Sequence, residues 1–237
     1  MDEKTFLESY DSRAFEGPLI CFDSVLFTYH ENTLKVLMVK RSNHPDKGMW
    51  SLPGGFVDTQ EDRNLEEAAL RKLKEKTKVI PPYLEQLTTV GDSSRDKRGW
   101  SITICYTALV AHQSCEAGVD AVSDAQWMSL DQLNKLETAF DHKSIIKLGR
   151  ERLRQKALYS IIPAYALPET FTFPELQHLH EILIGKALQK KSFRRRIEQA
   201  DLLIDTQKKR SEGGRPAALY RIKAGSQSFR FVRNLEE

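Results

Sequence analysis

Long apolar runs are missing from this chain of 237 residues. A membrane-spanning helix needs about 20 consecutive apolar residues, and the apolar stretches of this chain are interrupted by polar or charged residues well before that length. The opening segment, MDEKTFLESYDSR, also lacks the basic and then apolar layout of a secretory signal. We therefore expect a soluble protein of the cytoplasm with no membrane partner.

Cysteine is scarce as well. The chain has three cysteines, Cys21, Cys105 and Cys115, and they are far apart and form no CxxC pair. An odd number of widely spaced thiols favours neither a disulfide framework nor a zinc-ribbon site, so we expect thiols that fill the core. Hydrophobic residues make up 40% of the chain and charged residues 29%, which excludes collagen-like, low-complexity and wholly disordered proteins.

Positive charge is concentrated at the C-terminal end. Residues 186–237 contain 14 Lys and Arg against 6 Asp and Glu, whereas residues 1–185 contain 22 against 27. A basic segment attached to an acidic domain is typical of a protein that binds a polyanion, because each neutralised phosphate releases condensed counterions. A solvated basic helix face is the alternative explanation of the charge alone.

The first 150 residues combine strand and helix patterns. Runs rich in β-branched and aromatic residues at 18–29 and 33–41 flank a polar turn at 30–32 and predict a hairpin. A helix is predicted from about Asn64 to Lys76, because Asn64 and Glu67 resemble a capping box and apolar residues recur on one face. Further strands are predicted at 86–91 and 101–111, and a last strand runs into a helix near Ser129 or Leu130. This pattern indicates a mixed α/β domain.

A second domain is predicted after a charged helical pattern at 142–160, where three prolines follow in IIPAYALPETFTFP. We expect domains at 1–155 and 156–237. Thr172 with Glu175 opens a helix that Gly185 closes, and Ser192 in an N-cap position begins a second short helix. Two strand-like runs, LLIDTQ and AALYRIK, then flank the loop KKRSEGGRPA. Helix, turn, helix and a basic-tipped hairpin are typical of a winged helix.

The segment GGFVDTQEDRNLEEAALRKLKEKTKV resembles the Nudix box. That box has a glycine, a glutamate six positions later, and then Arg-Glu-apolar-x-Glu-Glu-x-Gly-apolar. Gly55 and Glu61 keep the first spacing, although two extra residues separate Glu61 from Arg71. With Arg71 as the aligned arginine, the three glutamates and the closing glycine of the box fall on Lys72, Glu75, Lys76 and Lys78.

Lysines at two of the three glutamate positions change the chemistry that the box supplies. Three carboxylates on one helix face would hold Mg²⁺ against a diphosphate, but Lys72 and Lys76 replace two of them. The local charge is then about four units more positive than with three glutamates, which should abolish metal binding. We predict no catalytic residue, no metal site and no required cofactor, and hence no enzyme. The two lysines are compatible either with retaining a diphosphate ligand unhydrolysed or with facing solvent.

The segment GDSSRDKRGWSITICYTALV resembles a stretch of ADP-ribose-type Nudix proteins in which Asp-x-Arg-Gly precedes a strand of the substrate pocket. An arginine can bind phosphate in bidentate fashion, and an indole can stack on adenine. The alternative is a surface arginine and a packed tryptophan. From these resemblances, the predicted ligand-binding residues are Arg41, Trp50, Gly54, Gly55, Glu75, Arg98, Gly99 and Trp100.

Residues 171–223 closely resemble the winged helix of the NrtR family, the Nudix-related transcriptional regulators of NAD metabolism. The motifs Lys-x-Phe-Arg-Arg and Gly-Arg-Pro-Ala-x-Leu-Tyr carry this resemblance. It implies an α+β protein, with an N-terminal Nudix α/β/α sandwich followed by a C-terminal winged helix-turn-helix domain. It also implies a homodimeric repressor of NAD-metabolism genes that binds a pseudo-palindromic double-stranded DNA operator. ADP-ribose or a related nucleotide would be the effector that relieves repression.

The residue types in these two motifs suit DNA on physical grounds. With Phe193 and Ile197 facing inward, the start of the second helix presents arginines that can read guanine, and lysines that can bind phosphate. An arginine at a thin hairpin tip suits a narrow minor groove. The predicted DNA-binding residues are Lys190, Lys191, Ser192, Arg194, Arg195, Arg196, Lys208, Lys209, Arg210, Arg215 and Pro216.

Two other functions are compatible with the sequence. The first is an active Nudix hydrolase of ADP-ribose with a fused DNA-binding domain, although Lys72 and Lys76 argue against it. The second is an RNA-binding module on an inert scaffold, although no aromatic RNA-stacking motif is present. For the repressor, we expect the helix at 142–160 and the proline-rich linker to transmit ligand binding to the DNA-binding domain.

Overall fold

A mixed β-sheet organises the N-terminal part of the protein. The computed structural model describes residues 2–11, 17–211, 216–232 and 234–235. Within these residues the sheet order is β3-β2-β1-β6-β5, with β4 paired to β1 and β7 paired to β2. Strands β1 and β6 run parallel and the other pairs are antiparallel. The strands are β1 (Leu19–His30), β2 (Thr33–Arg41), β3 (Trp50–Ser51), β4 (Gly54–Phe56), β5 (Glu85–Asp92), β6 (Ser101–Val110) and β7 (Val122–Ser129).

Helices cover both faces of this sheet. On β1, Phe22 and Leu26 face the helix α2 (Leu65–Thr77), whereas Val25 and Phe27 belong to the core on the side of α4 (His142–Tyr159). Strands β1 and β6 are therefore buried along most of their length, as expected for central strands covered on both sides. This arrangement confirms the predicted α/β/α sandwich.

Local turn and cap chemistry explains where these elements begin and end. The hairpin between β1 and β2 turns at Glu31 and Asn32, which both have positive φ angles, of 52° and 57°. Asn64 is the N-cap of α2, and its side chain accepts a hydrogen bond from the Glu67 backbone N–H at 2.9 Å. The helix ends at Lys78 in the left-handed conformation, at the position where the Nudix box has glycine.

The C-terminal part has the element order of a winged helix, which confirms that prediction. Thr172 and Glu175 form a capping box at the start of α5 (Phe173–Ile184), and Gly185 ends it with a φ of 78°. The helix α6 (Lys190–Gln199) follows, and β8 (Leu203–Arg210) pairs with β9 (Ala217–Ile222) as the wing. The remaining helical segments are α1 (Glu3–Ser9), α3 (Leu130–Asn134) and the 3-10 turns Ile162–Ala166 and Ser226–Ser228.

Two local predictions in this part were wrong. Ser192 is not an N-cap but the third residue of α6, because Gln189 caps the helix by accepting a hydrogen bond from the Ser192 N–H at 2.5 Å. Residues 208–210, predicted to lie in the loop, instead end β8, which continues past an irregularity at Gln207 with a φ of 60°. Gly213, Gly214 and Arg215 of the predicted wing tip lie outside the described residues.

One apolar core joins the sheet to the winged helix. Buried side chains of β1, α4, α5 and α6, including Phe27, Leu153, Leu176 and Phe193, belong to the same cluster. Polar contacts hold α4 on both sides of this junction. Lys156 Nζ lies 2.5 Å from Glu85 Oε2 of β5, and Arg154 Nε donates to the Ile184 carbonyl of α5 at 3.3 Å. The boundary at residue 155 stays a prediction, and α4 continues past it to Tyr159. In the part of the chain described, no helix is both long enough and apolar enough to cross a membrane.

The shared core predicts a large difference between two leucines of α4. Leu153 is 2% exposed and Leu148 is 48% exposed. Leu153→Ala should lower the free energy of unfolding by about 2–5 kcal/mol, because it leaves a cavity between the sheet and α5. Leu148→Ala, the matched control, should change it by roughly 0.5 kcal/mol or less. Urea unfolding measures both, and equal losses would contradict a core that depends on Leu153.

Candidate ligand cavity and nucleic-acid interface

A cavity of about 300 Å³ lies among β1, β2, β4, the last turn of α2, the loop before β6 and the first turn of α4. This volume is in the range of small-ligand sites. Four cationic side chains line it against two carboxylates, an excess of positive charge that suits an anionic ligand. These charged lining residues are Arg41, Lys76, Arg95, Arg98, Asp23 and Asp96.

Asp23 is a buried anion in the cavity wall. Its carboxylate accepts a hydrogen bond from Thr103 Oγ1 at 2.7 Å and lies 3.5 Å from both Arg95 Nη2 and His142 Nε2. Burial by itself would raise the pKa of Asp23, but His142, Thr103 and Arg95 together outweigh burial and lower it to about 2. Asp23 is therefore ionised at neutral pH and pairs with Arg95 in the cavity wall.

The first turn of α4 is part of the same wall. Arg95 donates two hydrogen bonds to Asp141, at 2.9 and 3.2 Å, and its side chain is almost fully buried. Next to Asp141, His142 Nδ1 accepts a hydrogen bond from the Leu52 backbone N–H at 2.9 Å. Because Arg95 and His142 both line the cavity, a ligand there lies directly beside the start of the helix that packs against the winged helix.

Four of the predicted ligand-binding residues line this cavity together: Arg41, Gly54, Gly55 and Arg98. Arg41 Nε donates to the Pro45 carbonyl at 2.8 Å, and its guanidinium lies 4.8 Å from the centre of the Phe140 ring. Gly54 has to be glycine here, because a Cβ would lie 2.2 Å from the Phe22 carbonyl oxygen. The structure thus brings half of the predicted set to one site.

The other four lie apart from the cavity lining. Gly99 and Trp100 border a separate open groove that they share with Arg98, and Trp100 is half exposed. Trp50 packs partly buried against the core, and its carbonyl accepts a hydrogen bond from the Ala139 N–H. Glu75 faces Arg71 and Lys72, at 3.0 and 2.8 Å. A binding role for the whole set stays a prediction.

The remaining Nudix-box residues do not fit a bound Mg²⁺. Glu61 is largely exposed and lies 3.6 Å from Arg71, and Glu75 is already paired with two cations. At the position of the last glutamate, Lys76 Nζ donates a hydrogen bond to the Gly54 carbonyl. Among the residues described, no group of three or more His, Cys, Asp or Glu side chains could hold a metal ion.

Sequence reasoning missed several residues of the wall, namely Asp23, Arg95, Phe140 and His142. A signal existed for Asp23, because a carboxylate inside the apolar run LICFDSVLF is costly to bury without a partner. Phe140 has a φ of 55°, an uncommon angle for an aromatic residue that no sequence pattern reveals. Arg95 and His142 take their places only through tertiary pairing with distant residues.

The second site is the exposed face of α6. Phe193 and Ile197 point into the core and are each 1% exposed, so the opposite face is left to solvent. Lys191 and Arg195 lie on that face, and Lys190 is the first residue of the helix. All three are exposed, with no ion-pair partner in the part of the chain that the structure describes. Cations without an internal partner are the groups most available to phosphates and base edges.

Other predicted DNA-binding residues contact their own domain. Arg194 pairs with Glu198 at 2.8 Å and lies 4.9 Å from the centre of the Phe173 ring. Arg196 donates to the Asn234 carbonyl, and Arg210 pairs with Glu175 of the α5 capping box. Lys208, Lys209 and Pro216 are exposed around the wing, Ser192 is half buried, and Arg215 lies outside the described residues.

Comparison with known proteins identifies two domains. Residues 23–148 match the NUDIX domain, and residues 163–222 match the NrtR DNA-binding winged helix domain. The ADPR responsive transcriptional repressor NtrR of Acinetobacter baylyi is 39% identical over 234 residues, which cover 99% of this chain and 94% of that protein. An ADP-ribose pyrophosphatase of Methanocaldococcus jannaschii is 38% identical over 145 residues, covering 61% of this chain and 79% of that enzyme.

A solved structure resembles nearly the whole chain. The crystal structure of Shewanella oneidensis NrtR has a TM-score of 0.86 and 59% identity, and the match covers 92% of this chain and all of that one. The same Shewanella protein is solved in complex with a 27mer DNA, with the same TM-score and identity. Its NUDIX domain is solved with ADP ribose, at 54% identity and a TM-score of 0.64, covering 65% of this chain and 99% of that one.

The low pKa of Asp23 predicts a pH-dependent contribution to stability. Because the pKa falls from 3.8 to about 2 on folding, the ionised carboxylate stabilises the fold above about pH 4 and loses this effect as the pH falls towards 2. Its contribution at neutral pH is about 2 kcal/mol.

Asp23→Asn should therefore lower the free energy of unfolding at pH 7, and its difference from the wild type should shrink as the pH is lowered. Urea unfolding at a series of pH values measures this. Asp120→Asn, which removes an exposed carboxylate, is the matched control for the change in net charge. A difference between Asp23→Asn and the wild type that is constant across the acid range would contradict the assignment.

Proposed function

The chain belongs to the NrtR family, and from this premise we propose that it is a transcriptional repressor of a double-stranded DNA operator. The repressor releases the operator when ADP-ribose or a related nucleotide binds the Nudix-domain cavity. The observation that carries the proposal is the exposed, unpaired cationic start of α6. The Acinetobacter relative is named an ADPR responsive transcriptional repressor, and the Shewanella relative is solved with DNA.

The DNA side follows from how α6 is held. Phe193 and Ile197 fix its inner face in the core, so the helix presents its other face as a rigid unit. Arg195 suits bidentate recognition of guanine in the major groove, and Lys190 and Lys191 suit the neighbouring phosphates. The wing residues Lys208 and Lys209 add positive charge close to the backbone of the duplex.

The effector side follows from the charge and size of the cavity. A nucleotide with two linked phosphates supplies the negative charge that the cavity lining lacks. The NUDIX domain of the Shewanella relative is solved with ADP ribose, which supports the same class of ligand for this chain. Arg41 and Arg98 supply donors for phosphate at the cavity, which Gly54 and Gly55 also line.

We assign the chain no hydrolase activity, no metal and no required cofactor, because Lys72 and Lys76 stand where the Nudix box has glutamates. The second candidate function is an ADP-ribose hydrolase with a fused DNA-binding domain. The 38% identity to the Methanocaldococcus ADP-ribose pyrophosphatase favours it. Incubation of ADP-ribose with the protein and Mg²⁺ distinguishes the two functions. A hydrolase would release AMP, whereas a repressor without hydrolase activity would leave the nucleotide intact.

The repressor model includes a homodimer in the cytoplasm on a pseudo-palindromic operator of NAD-metabolism genes. Two winged helices read two half-sites only if their separation matches the helical repeat of DNA. The helix α4 begins in the cavity wall at His142 and ends beside α5 at Tyr159, so a ligand that moves its first turn can change the separation of the wings. Ligand binding then lowers the affinity for the operator.

Fluorescence anisotropy tests this function most simply. The protein is titrated into a labelled duplex from the region upstream of its own gene, with and without ADP-ribose, while chromatography follows the nucleotide. Tight, salt-sensitive binding that intact ADP-ribose reverses supports the repressor. Cleavage of ADP-ribose without duplex binding supports the hydrolase, and equal binding to single strands and duplex supports an RNA-binding or unspecific module.

Arg195 should contribute to sequence discrimination. Arg195→Ala should weaken operator binding by about 1–3 kcal/mol and binding to random duplex by less, because a bidentate contact to one base pair is lost. Arg63→Ala, which removes an exposed arginine of the Nudix domain, is the matched control and should leave both affinities unchanged. Unaltered discrimination between operator and random duplex in Arg195→Ala would contradict the assignment.

Arg98 should act on the nucleotide and not on basal DNA binding. Its guanidinium is held by Asp96, at 2.7 Å, and lies 5.0 Å from the centre of the Phe56 ring at the cavity. Arg98→Ala should weaken ADP-ribose binding by about 1.5–3 kcal/mol, the range of a hydrogen bond to a charged group. Calorimetry measures the affinity for the nucleotide, and anisotropy measures the affinity for the duplex. If Arg98→Ala binds the nucleotide with wild-type affinity, Arg98 is not part of the binding site.

A further inference from the structure

Lys76 places an ammonium group in the wall of the cavity, in the last turn of α2. Its Nζ donates a hydrogen bond to the carbonyl of Gly54, which lines the same cavity. An ammonium has three N–H groups, so two remain for other acceptors. Within the described residues, no carboxylate lies within 4.0 Å of Lys76 Nζ. Lys76 therefore has no direct ion-pair partner among the described residues.

Lys72 differs from Lys76, although both stand at glutamate positions of the Nudix box. Lys72 Nζ lies 2.8 Å from Glu75 Oε2 on the same helix, so its charge is paired. Its side chain borders a separate groove formed with residues 56–60 rather than the main cavity. The two substitutions therefore have different consequences, and only Lys76 adds an unpaired charge to the cavity.

The other cations that line the cavity also differ in whether a carboxylate pairs with them. Arg95 is paired with Asp141 at 2.9 Å, and Arg98 is paired with Asp96 at 2.7 Å. Arg41 instead donates to the carbonyls of Pro45 and Asn43, at 2.8 and 3.4 Å, and forms no ion pair with a carboxylate of the described chain. Arg41 and Lys76 thus face the cavity without a carboxylate at ion-pair distance among the described residues.

Electrostatics inside the protein favour an anion between these two groups. Burial is the largest influence that lowers the pKa of Lys76; Asp23 raises it, and the positive charges of Arg41 and Lys72 lower it further. The pKa of Arg41 is also lowered, because burial and then Arg98 outweigh the opposite effect of Asp46, Asp96 and Asp23. An anion with two negative charges relieves both the repulsion and the cost of keeping unpaired cations away from water.

We propose that Lys76 and Arg41 form a metal-free diphosphate site, in which the ammonium of Lys76 takes the place that the Nudix fold gives to a divalent cation. The proposal rests on the proposed function, because it assumes that the effector is a nucleoside diphosphate such as ADP-ribose. It goes further by naming the group that binds the diphosphate. It also requires that the effector bind without Mg²⁺.

The test is calorimetry on the full-length protein with two probes, ADP-ribose and inorganic pyrophosphate, each in excess EDTA and in Mg²⁺. Wild-type protein should bind ADP-ribose with equal affinity in both buffers. Lys76→Met should lose about tenfold or more in affinity for both probes, because it removes a hydrogen bond to a charged group. Lys72→Met, the matched control with a paired lysine, should stay within about twofold of the wild type.

A second variant, Lys76→Gln, keeps a donor for the Gly54 carbonyl while removing the charge, and should lose affinity to a similar extent. Thermal unfolding and operator binding show whether each variant is folded. The proposal is overturned if either folded Lys76 variant binds like the wild type, if EDTA abolishes binding to the wild type, or if neither probe binds.

The outcomes also separate the site from the proposed function. If ADP-ribose releases the operator from Lys76→Met as it does from the wild type, the proposed diphosphate site is wrong and the proposed repressor function stands. If pyrophosphate binding depends on Lys76 but operator binding does not respond to ADP-ribose, the diphosphate site is supported. The proposal that ADP-ribose is the effector is then wrong.

Discussion

The packing of α4 against two partners is the constraint on which the rest of the structure depends. Its buried face completes the core of the sheet through Ile145 and Leu153, and the same apolar cluster continues into α5 and α6. At its C-terminal end, the Ala157 carbonyl contacts His180 Nδ1 at 2.9 Å. At its N-terminal end, His142 lines the cavity, and Asp141 pairs with the lining residue Arg95. One helix therefore joins the cavity wall to the core of the winged helix, which provides a physical route for coupling the two sites.

The cations at both sites divide into those with a carboxylate partner and those without one. In the cavity, Arg95 and Arg98 have carboxylate partners and hold the wall together. On α6, Arg194 has Glu198 and the Phe173 ring as partners, whereas Arg195 has none among the described residues. Unpaired cations contribute little to the stability of the free protein and some of them lower it. Their presence at both sites is consistent with polyanionic and diphosphate ligands that complete the pairing.

The fold could largely be predicted from the sequence, because its elements carry local patterns. The capping box at Thr172, the turn at Glu31 and Asn32 and the apolar face of α2 depend on residues a few positions apart. The error at Ser192 arose because Gln189, a residue that is not a preferred N-cap, made the hydrogen bond instead. Local patterns do not decide between two neighbouring caps when the turn before the helix is fixed by tertiary packing.

The cavity was less predictable, because pairs distant in the sequence build it. Asp23 meets Thr103 and His142, and Arg95 meets Asp141. Resemblance to a family identified Arg41, Gly54, Gly55 and Arg98, the last three within the quoted motifs. It did not separate Lys76 from Lys72, which have the same residue type in the same helix. Only the position of Glu75 and of the Gly54 carbonyl distinguishes the two lysines.

The most direct test of the account is to measure the affinity of ADP-ribose for the free protein and for the protein bound to its operator. Coupling through α4 predicts weaker binding to the operator complex, by the same factor by which ADP-ribose weakens operator binding, because linkage is reciprocal. Equal affinities for the two forms would contradict the account, since a ligand that binds both states equally cannot shift the equilibrium between them.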